Sequence, residues 1–140
     1  MKTLRIFLIS LFILGTMNTI QAQKVDLAKK DIVVAENIEV YYFHFTKRCP
    51  TCSAVESETK TALKKFYAEE MEKGIIHFTS LNLDNKNNKK IADGLKLSGQ
   101  SLLLVKGDKH VNLTSQGFMQ ARSNPEKFHE IIKTKMDELL

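Results

Sequence analysis

The residues with the widest chemical scope are Cys49 and Cys52, the only two cysteines among 140 residues, separated by Pro50 and Thr51. Two thiols at this spacing can close a disulfide, exchange it with another disulfide, or share a soft metal ion. Upstream, Ile38-Glu39-Val40-Tyr41-Tyr42-Phe43-His44-Phe45 is apolar, aromatic and β-branched, which predicts a buried strand. Downstream, from Ser53 to about Met71, Val55, Ala62, Leu63, Phe66 and Tyr67 recur at helical spacing. Glu56, Glu58, Lys60, Lys64 and Lys65 fill the other face. The cysteines therefore fall where a strand ends and a helix begins.

That placement favours nucleophilic sulfur. The first turn of a helix has N–H groups without intrahelical partners, and the macrodipole adds partial positive charge there. A thiolate at that point is stabilised, so its pKa falls. Lys47 and Arg48 immediately before Cys49 add further positive charge. Pro50 suits the first helical position, where its missing N–H has no partner to lose. Cys49 is placed to attack, and Cys52, one turn further in, to resolve a mixed disulfide. Pro50 and Thr51, between the thiols, tune the potential of the pair.

The competing uses fit less well. A purely structural disulfide closing so short a loop removes little chain entropy. A zinc site needs about four ligands, and there is no second cysteine pair. His44, His77, His110 and His129 are scattered, and His77 reads as a packing residue within a strand. Covalent haem attachment needs His after the second Cys, where Ser53 stands. Capture of a soft metal or metalloid between Cys49 and Cys52 stays open as an alternative, with His44 and Gln100 as further lining residues.

The elements that must position the pair follow in order. Gly74 ends the long helix, and Ile75 to Asp84 is the second main strand, expected to run parallel to the first. Asn85 to Asn88 is a polar break. Lys89 to Leu95 is a short helix with Ile91, Ala92 and Leu95 inward, and Lys96 to Gln100 is a loop. Ser101 to Lys106 is a buried strand, and Gly107-Asp108 turns it into a hairpin with Lys109 to Thr114. Ser115 to Arg122 is irregular or a short helical turn. Asn124 caps a last helix with Pro125 at its first position, and Phe128, Ile131, Ile132, Met136 and Leu139 form its buried stripe.

The N-terminus has another character. Lys2 and Arg5 precede the apolar run Ile6 to Leu14, and Gly15 to Ala22 is a more polar exit ending in a small residue. This is the layout of a secretory signal cleaved near Ala22, and the run is shorter than the roughly 20 residues that span a bilayer. The expected division is thus residues 1–22 as signal peptide and 23–140 as one domain. Within it, 23–36 is an N-terminal extension or short strand, with Ile32-Val33-Val34 as the strand. The implied location is periplasmic or secreted, an oxidising or managed compartment that suits a dithiol. The formal charge of +5 falls when the leader is removed. Basic residues alternate with acidic ones on helix faces, so nucleic acid is excluded as a partner.

Strand, Cys-x-x-Cys, long helix, strand, short helix, strand, hairpin strand and helix is an order that resembles the thioredoxin superfamily from about Ile38 to Leu140. Ile75 to Asp84 and Ser101 to Asp108 look like the third and fourth strands of thioredoxins. The resemblance implies an α/β fold with a central mixed four- to five-stranded sheet flanked by helices. It also implies thiol–disulfide exchange, with Cys49 as nucleophile and Cys52 as resolving thiol. No cofactor is implied beyond the redox-active Cys49–Cys52 disulfide. The partners implied are protein thiols and disulfides, with a membrane thiol–redox protein to reset the pair.

Three positions depart from the family pattern. The cis-proline that thioredoxins place before the fourth strand is Gln100 here, so Gln100 and Ser101 form the substrate-side loop. A cis bond at a non-proline residue costs about 2.5–4 kcal/mol, so Ser98 to Ser101 is expected to be trans or rearranged. The aromatic before the first cysteine is Arg48, and the buried carboxylate six residues before it is Phe43. The Cys-Pro-x-Cys form is closer to glutaredoxins and periplasmic oxidants, without a glutathione-site motif around Ser98 to Gly107. Loss of the proline also favours the metal-binding alternative.

Overall fold

The computed structural model describes residues 37–140. The expected signal peptide and the expected extension over 23–36, including Ile32-Val33-Val34, lie outside the described residues.

Ile38–His44 forms strand β1, followed by helices α1 (Pro50–Phe66) and α2 (Ala68–Glu72) and strand β2 (Ile76–Asn82). Helix α3 (Lys86–Gly94) leads to the hairpin of β3 (Ser101–Lys106) and β4 (Lys109–Asn112). Helices α4 (Thr114–Gln120) and α5 (Pro125–Asp137) complete the chain. The sheet order is β2-β1-β3-β4. β1 is parallel to β2, with Ile38 opposite Ile76 and His44 opposite Asn82. β1 is antiparallel to β3, with Phe43 opposite Ser101, and β3 is antiparallel to β4. A parallel pair joined through a helix, then an antiparallel hairpin on the other side of the first strand, is a thioredoxin-like α/β architecture. The sheet has four strands among the described residues, the lower end of the expected four to five.

β1 reads as a continuous apolar run because both faces of this central strand are covered. Ile38, Val40 and Tyr42 pack with Val55 and Leu63 of α1 and Phe128, Ile132 and Met136 of α5. Phe43 faces the other way, into a smaller cluster with Leu81, Leu83 and Ala92, against α3. Burying this set supplies the main stabilisation of the fold, at roughly 1.5–3 kcal/mol per large apolar side chain. At the centre of the helical layer, Gly117 of α4 leaves no room for a side chain. A Cβ there would lie 3.1 Å from a Val55 methyl and 3.3 Å from the Phe128 ring.

The expected single helix from Ser53 to Met71 is divided at Tyr67, which caps both α1 and α2 with φ −137°. The Tyr67 ring is buried, and its hydroxyl lies 2.9 Å from the Lys133 carbonyl oxygen and 2.6 Å from Asp137 Oδ1, both on α5. This tertiary anchor bends the backbone where periodicity alone carries the helix on. Gly74, with φ +71°, ends the helical segment as expected. Asn124 accepts from the Lys127 N–H at the start of α5, and Pro125 occupies the first turn. Two expected inward residues are not inward. Ile91 is 44% exposed, because α3 presents Ala92 to the sheet and is capped earlier, by Asn85. His77 is exposed on the edge strand β2 rather than packed within it. The segment after β4 forms the short helix α4.

Candidate redox site

The site lies at one end of the sheet, where β1 and β2 finish and β3 begins. Cys49 and Cys52 are joined by a disulfide, with Cα atoms 5.2 Å apart. Cys49 is the N-cap of α1: its backbone is extended and its sulfur accepts the Cys52 N–H at 3.2 Å. Its carbonyl accepts the Ser53 N–H, the first bond of the helix. Pro50 stands within the first turn, where it forfeits no bond. The two sulfurs are unequal in access. Cys49 is exposed, whereas Cys52 is 3% exposed.

The buried end of the motif is held from β1. Tyr42 is fully buried, and its hydroxyl donates to the Cys52 carbonyl oxygen at 2.7 Å. Burial pushes the Tyr42 phenol up to about 12, against a lowering by Arg48 and a further raising by Glu56. On the other side, Gln100 Oε1 lies 3.1 Å from Cys52 Sγ. The antiparallel register brings it there: Phe43 opposite Ser101 places residue 100 level with the strand end that feeds the cysteines. No peptide bond among the described residues is cis, in keeping with the trans expectation at Ser98 to Ser101. The Ser101 hydroxyl turns back to its own loop and donates to the Gly99 carbonyl oxygen.

Arg48 does not stand alone beside Cys49. Its guanidinium pairs with Glu56 of α1, its Nε donates to His44 Nδ1 at 3.1 Å, and it lies over the Tyr42 ring. Lys60 adds a second cation to Glu56 at 2.6 Å. Burial acts to raise the Glu56 carboxyl, but the bonds from Lys60 and Arg48 outweigh it and hold the group below its ordinary value. Lys47 and Pro50 are exposed, and Thr51 is half-buried. The loop before Cys49 is fixed from β2: Thr46 N–H donates to Asp84 Oδ2 and Asn82 Nδ2 to Thr46 Oγ1, each at 2.8 Å. Phe45, Leu83, Ala92 and Leu97 line a shallow groove beside this loop.

Sequence reasoning missed Tyr42, Glu56, Thr46 and Asp84. Tyr42 carried a signal, since a tyrosine on the buried face of a strand needs a partner for its hydroxyl. Glu56 carried another, because it lies one helical turn beyond Cys52. Among the described residues no group of three or more His, Cys, Asp or Glu side chains is gathered as a metal site.

No family model matches this sequence, and a search of curated proteins gives no match. Two solved structures show a loose likeness. One is described as a malarial protein, at 18% identity over 61% of this chain and 92% of that chain, with a TM-score of 0.42. The other is the germline-specific thioredoxin Deadhead of Drosophila melanogaster, at 14% identity over 75% of this chain and 83% of that chain, with a TM-score of 0.48. Strand order, crossover and the place of the cysteine pair are those of a thioredoxin-like fold.

Proposed function

We propose that this protein is a thiol–disulfide oxidoreductase acting on protein thiols and disulfides outside the cytosol. The observation that carries the proposal is the Cys49–Cys52 disulfide at the start of α1, with one sulfur exposed and the other buried. In the dithiol form, the Cys49 thiolate is stabilised by the Cys52 N–H and the helix N-terminus. Lys47 and the Arg48–Glu56 pair set the charge around it. The Cys49 thiolate attacks one sulfur of a substrate disulfide. A Cys49–substrate disulfide forms, and the other substrate sulfur leaves as a thiolate. Cys52 then gives up its proton and attacks Cys49 Sγ. The Cys49–Cys52 disulfide closes and the second substrate sulfur departs. Two electrons pass to the substrate, which takes up two protons; the reverse sequence oxidises a substrate dithiol. The extracytosolic setting is supported by the basic, apolar, small-residue pattern of Met1 to Ala22. In such a compartment a membrane thiol–redox protein resets the pair.

The test is Cys52→Ser. Cys49 then has no resolving partner, and mixed disulfides accumulate that dissolve in reductant and are absent from Cys49→Ser. A Cys52→Ser protein that captures nothing from periplasmic or secreted extracts overturns the proposal. The same reduced wild-type sample is assayed with Cu(I). Stoichiometric metal that shields both thiols from alkylation makes the pair a binding site instead.

A further inference from the structure

The amide of Gln100 stands in an unusual relation to Cys52. Its oxygen, an acceptor only, lies 3.1 Å from a buried sulfur. In the disulfide that sulfur carries no proton, so the acceptor has nothing to accept. In the dithiol and in the mixed disulfide at Cys49, Cys52 regains a proton, and its S–H has this oxygen in front of it. A hydrogen bond of that sense favours the neutral thiol over the thiolate. Cys49 has the opposite surroundings, an exposed sulfur that already accepts an N–H at the helix start. Two thiols only three residues apart therefore meet fields of opposite preference.

We propose that Gln100 is a positioning residue that keeps Cys52 protonated, and so reinforces the choice of Cys49 as the attacking sulfur. With Cys52 held neutral, Cys49 alone ionises at neutral pH and meets the substrate. Cys52 releases its proton only when it closes on Cys49 Sγ. The same bond exists in the reduced protein and is absent from the disulfide, so Gln100 stabilises the reduced form relative to the oxidised one. The proposal rests on the exchange reading above.

The experiment places Gln100→Leu and Gln100→Glu in a Cys49→Ser background, where Cys52 is the sole thiol, and follows its alkylation rate against pH. Loss of one hydrogen bond in Gln100→Leu raises the Cys52 thiolate fraction about two- to tenfold at a given pH. Gln100→Glu keeps an oxygen in place and adds negative charge, so the profile moves the other way. In protein with both cysteines, Gln100→Leu shortens the life of the mixed disulfide at Cys49 and makes the reduction potential more negative. A Cys52 profile that stays put or shifts upward in Gln100→Leu overturns the proposal. Should the Leu variant not fold, Gln100→Asn withdraws the oxygen by one methylene and is read the same way. The two failures are separable. Without exchange chemistry, Cys52→Ser captures no partner whatever residue 100 is. Without the Gln100 effect, capture persists and the Cys52 profile does not move.

Discussion

The hydroxyl of Tyr42 donates to the carbonyl oxygen of Cys52 at 2.7 Å, tying the buried end of the dithiol motif to the central strand. The strand thus holds the first turn of α1 by a bond to backbone, independent of the state of the sulfurs. Tyr42→Phe keeps the ring packing and loses this bond. The expected cost is about 1 kcal/mol, read as a lower urea midpoint with an unchanged slope.

The same phenol makes stability depend on alkaline pH. Its folded pKa, about 12, is above the ordinary value of 10.0, and burial is the main cause. The folded state therefore disfavours the phenolate. The stabilisation is complete below pH 10 and declines as pH rises toward 12. Unfolding midpoints measured from pH 8 to 11.5 should fall in the wild type and fall less in Tyr42→Phe. A residual slope belongs to Tyr67, which burial and the Asp137 carboxylate also raise, and to Tyr41, raised by burial and by Glu39.

Glu56 governs how much of the Arg48 charge Cys49 feels. Glu56→Gln removes the carboxylate that neutralises Arg48 and Lys60. The Cys49 alkylation profile should move to lower pH. Arg48→Glu should move it to higher pH, by about one unit. Profiles that coincide with wild type would remove the Arg48–Glu56 pair from the sources of thiolate stabilisation. Since the folded Glu56 pKa is depressed, its contribution to stability holds above the ordinary carboxylate range and is lost as acid passes through the folded value.

Asp84 reaches from the end of β2 to the backbone of Thr46, 38 residues away, and hydrogen bonding from the Thr46 side chain and backbone holds its carboxyl below the usual range. Asp84→Ala should speed amide hydrogen exchange at Thr46 while leaving the β1 amides protected. In the wild type the same loosening should set in as pH falls through the Asp84 titration.

Gly117 is a packing requirement rather than a turn. Gly117→Val would push two methyl groups against Val55 and Phe128, both fully buried. Overpacking of this kind costs about 1–3 kcal/mol. Thermal unfolding should show the loss, with the redox pair untouched.

Local features of the fold were legible in the sequence because their causes are local. Cys49-Pro50 and Asn124-Pro125 both mark helix starts, since a side-chain acceptor followed by proline satisfies the first turn without help from elsewhere. Gly74 was equally plain. The break at Tyr67 was not, because its cause is the last turn of α5, which periodicity around residue 67 cannot register. At the site, the cysteines were legible, and the side chains that surround them were only partly so. Gln100 could be singled out by its place in the family pattern. Its approach to Cys52 spans 48 residues and depends on strand register, which no local motif encodes. Arg48 was visible as a charge next to Cys49, but its neutralisation by Glu56 required the loop to fold back over α1.

The pairing of Phe43 with Ser101 carries a consequence for the newly made chain. Cys49 and Cys52 meet through helix α1 alone, a local event that needs no sheet. Gln100 arrives only when β3 docks, and a slip of one residue turns its side chain to the opposite face. Before docking, Cys49 already has the helix start in its favour, but Cys52 lacks the acceptor that holds its proton. The selectivity of the pair is thus completed late, at the closing of a long loop, and a chain caught short of that point holds Cys52 less firmly in its neutral form.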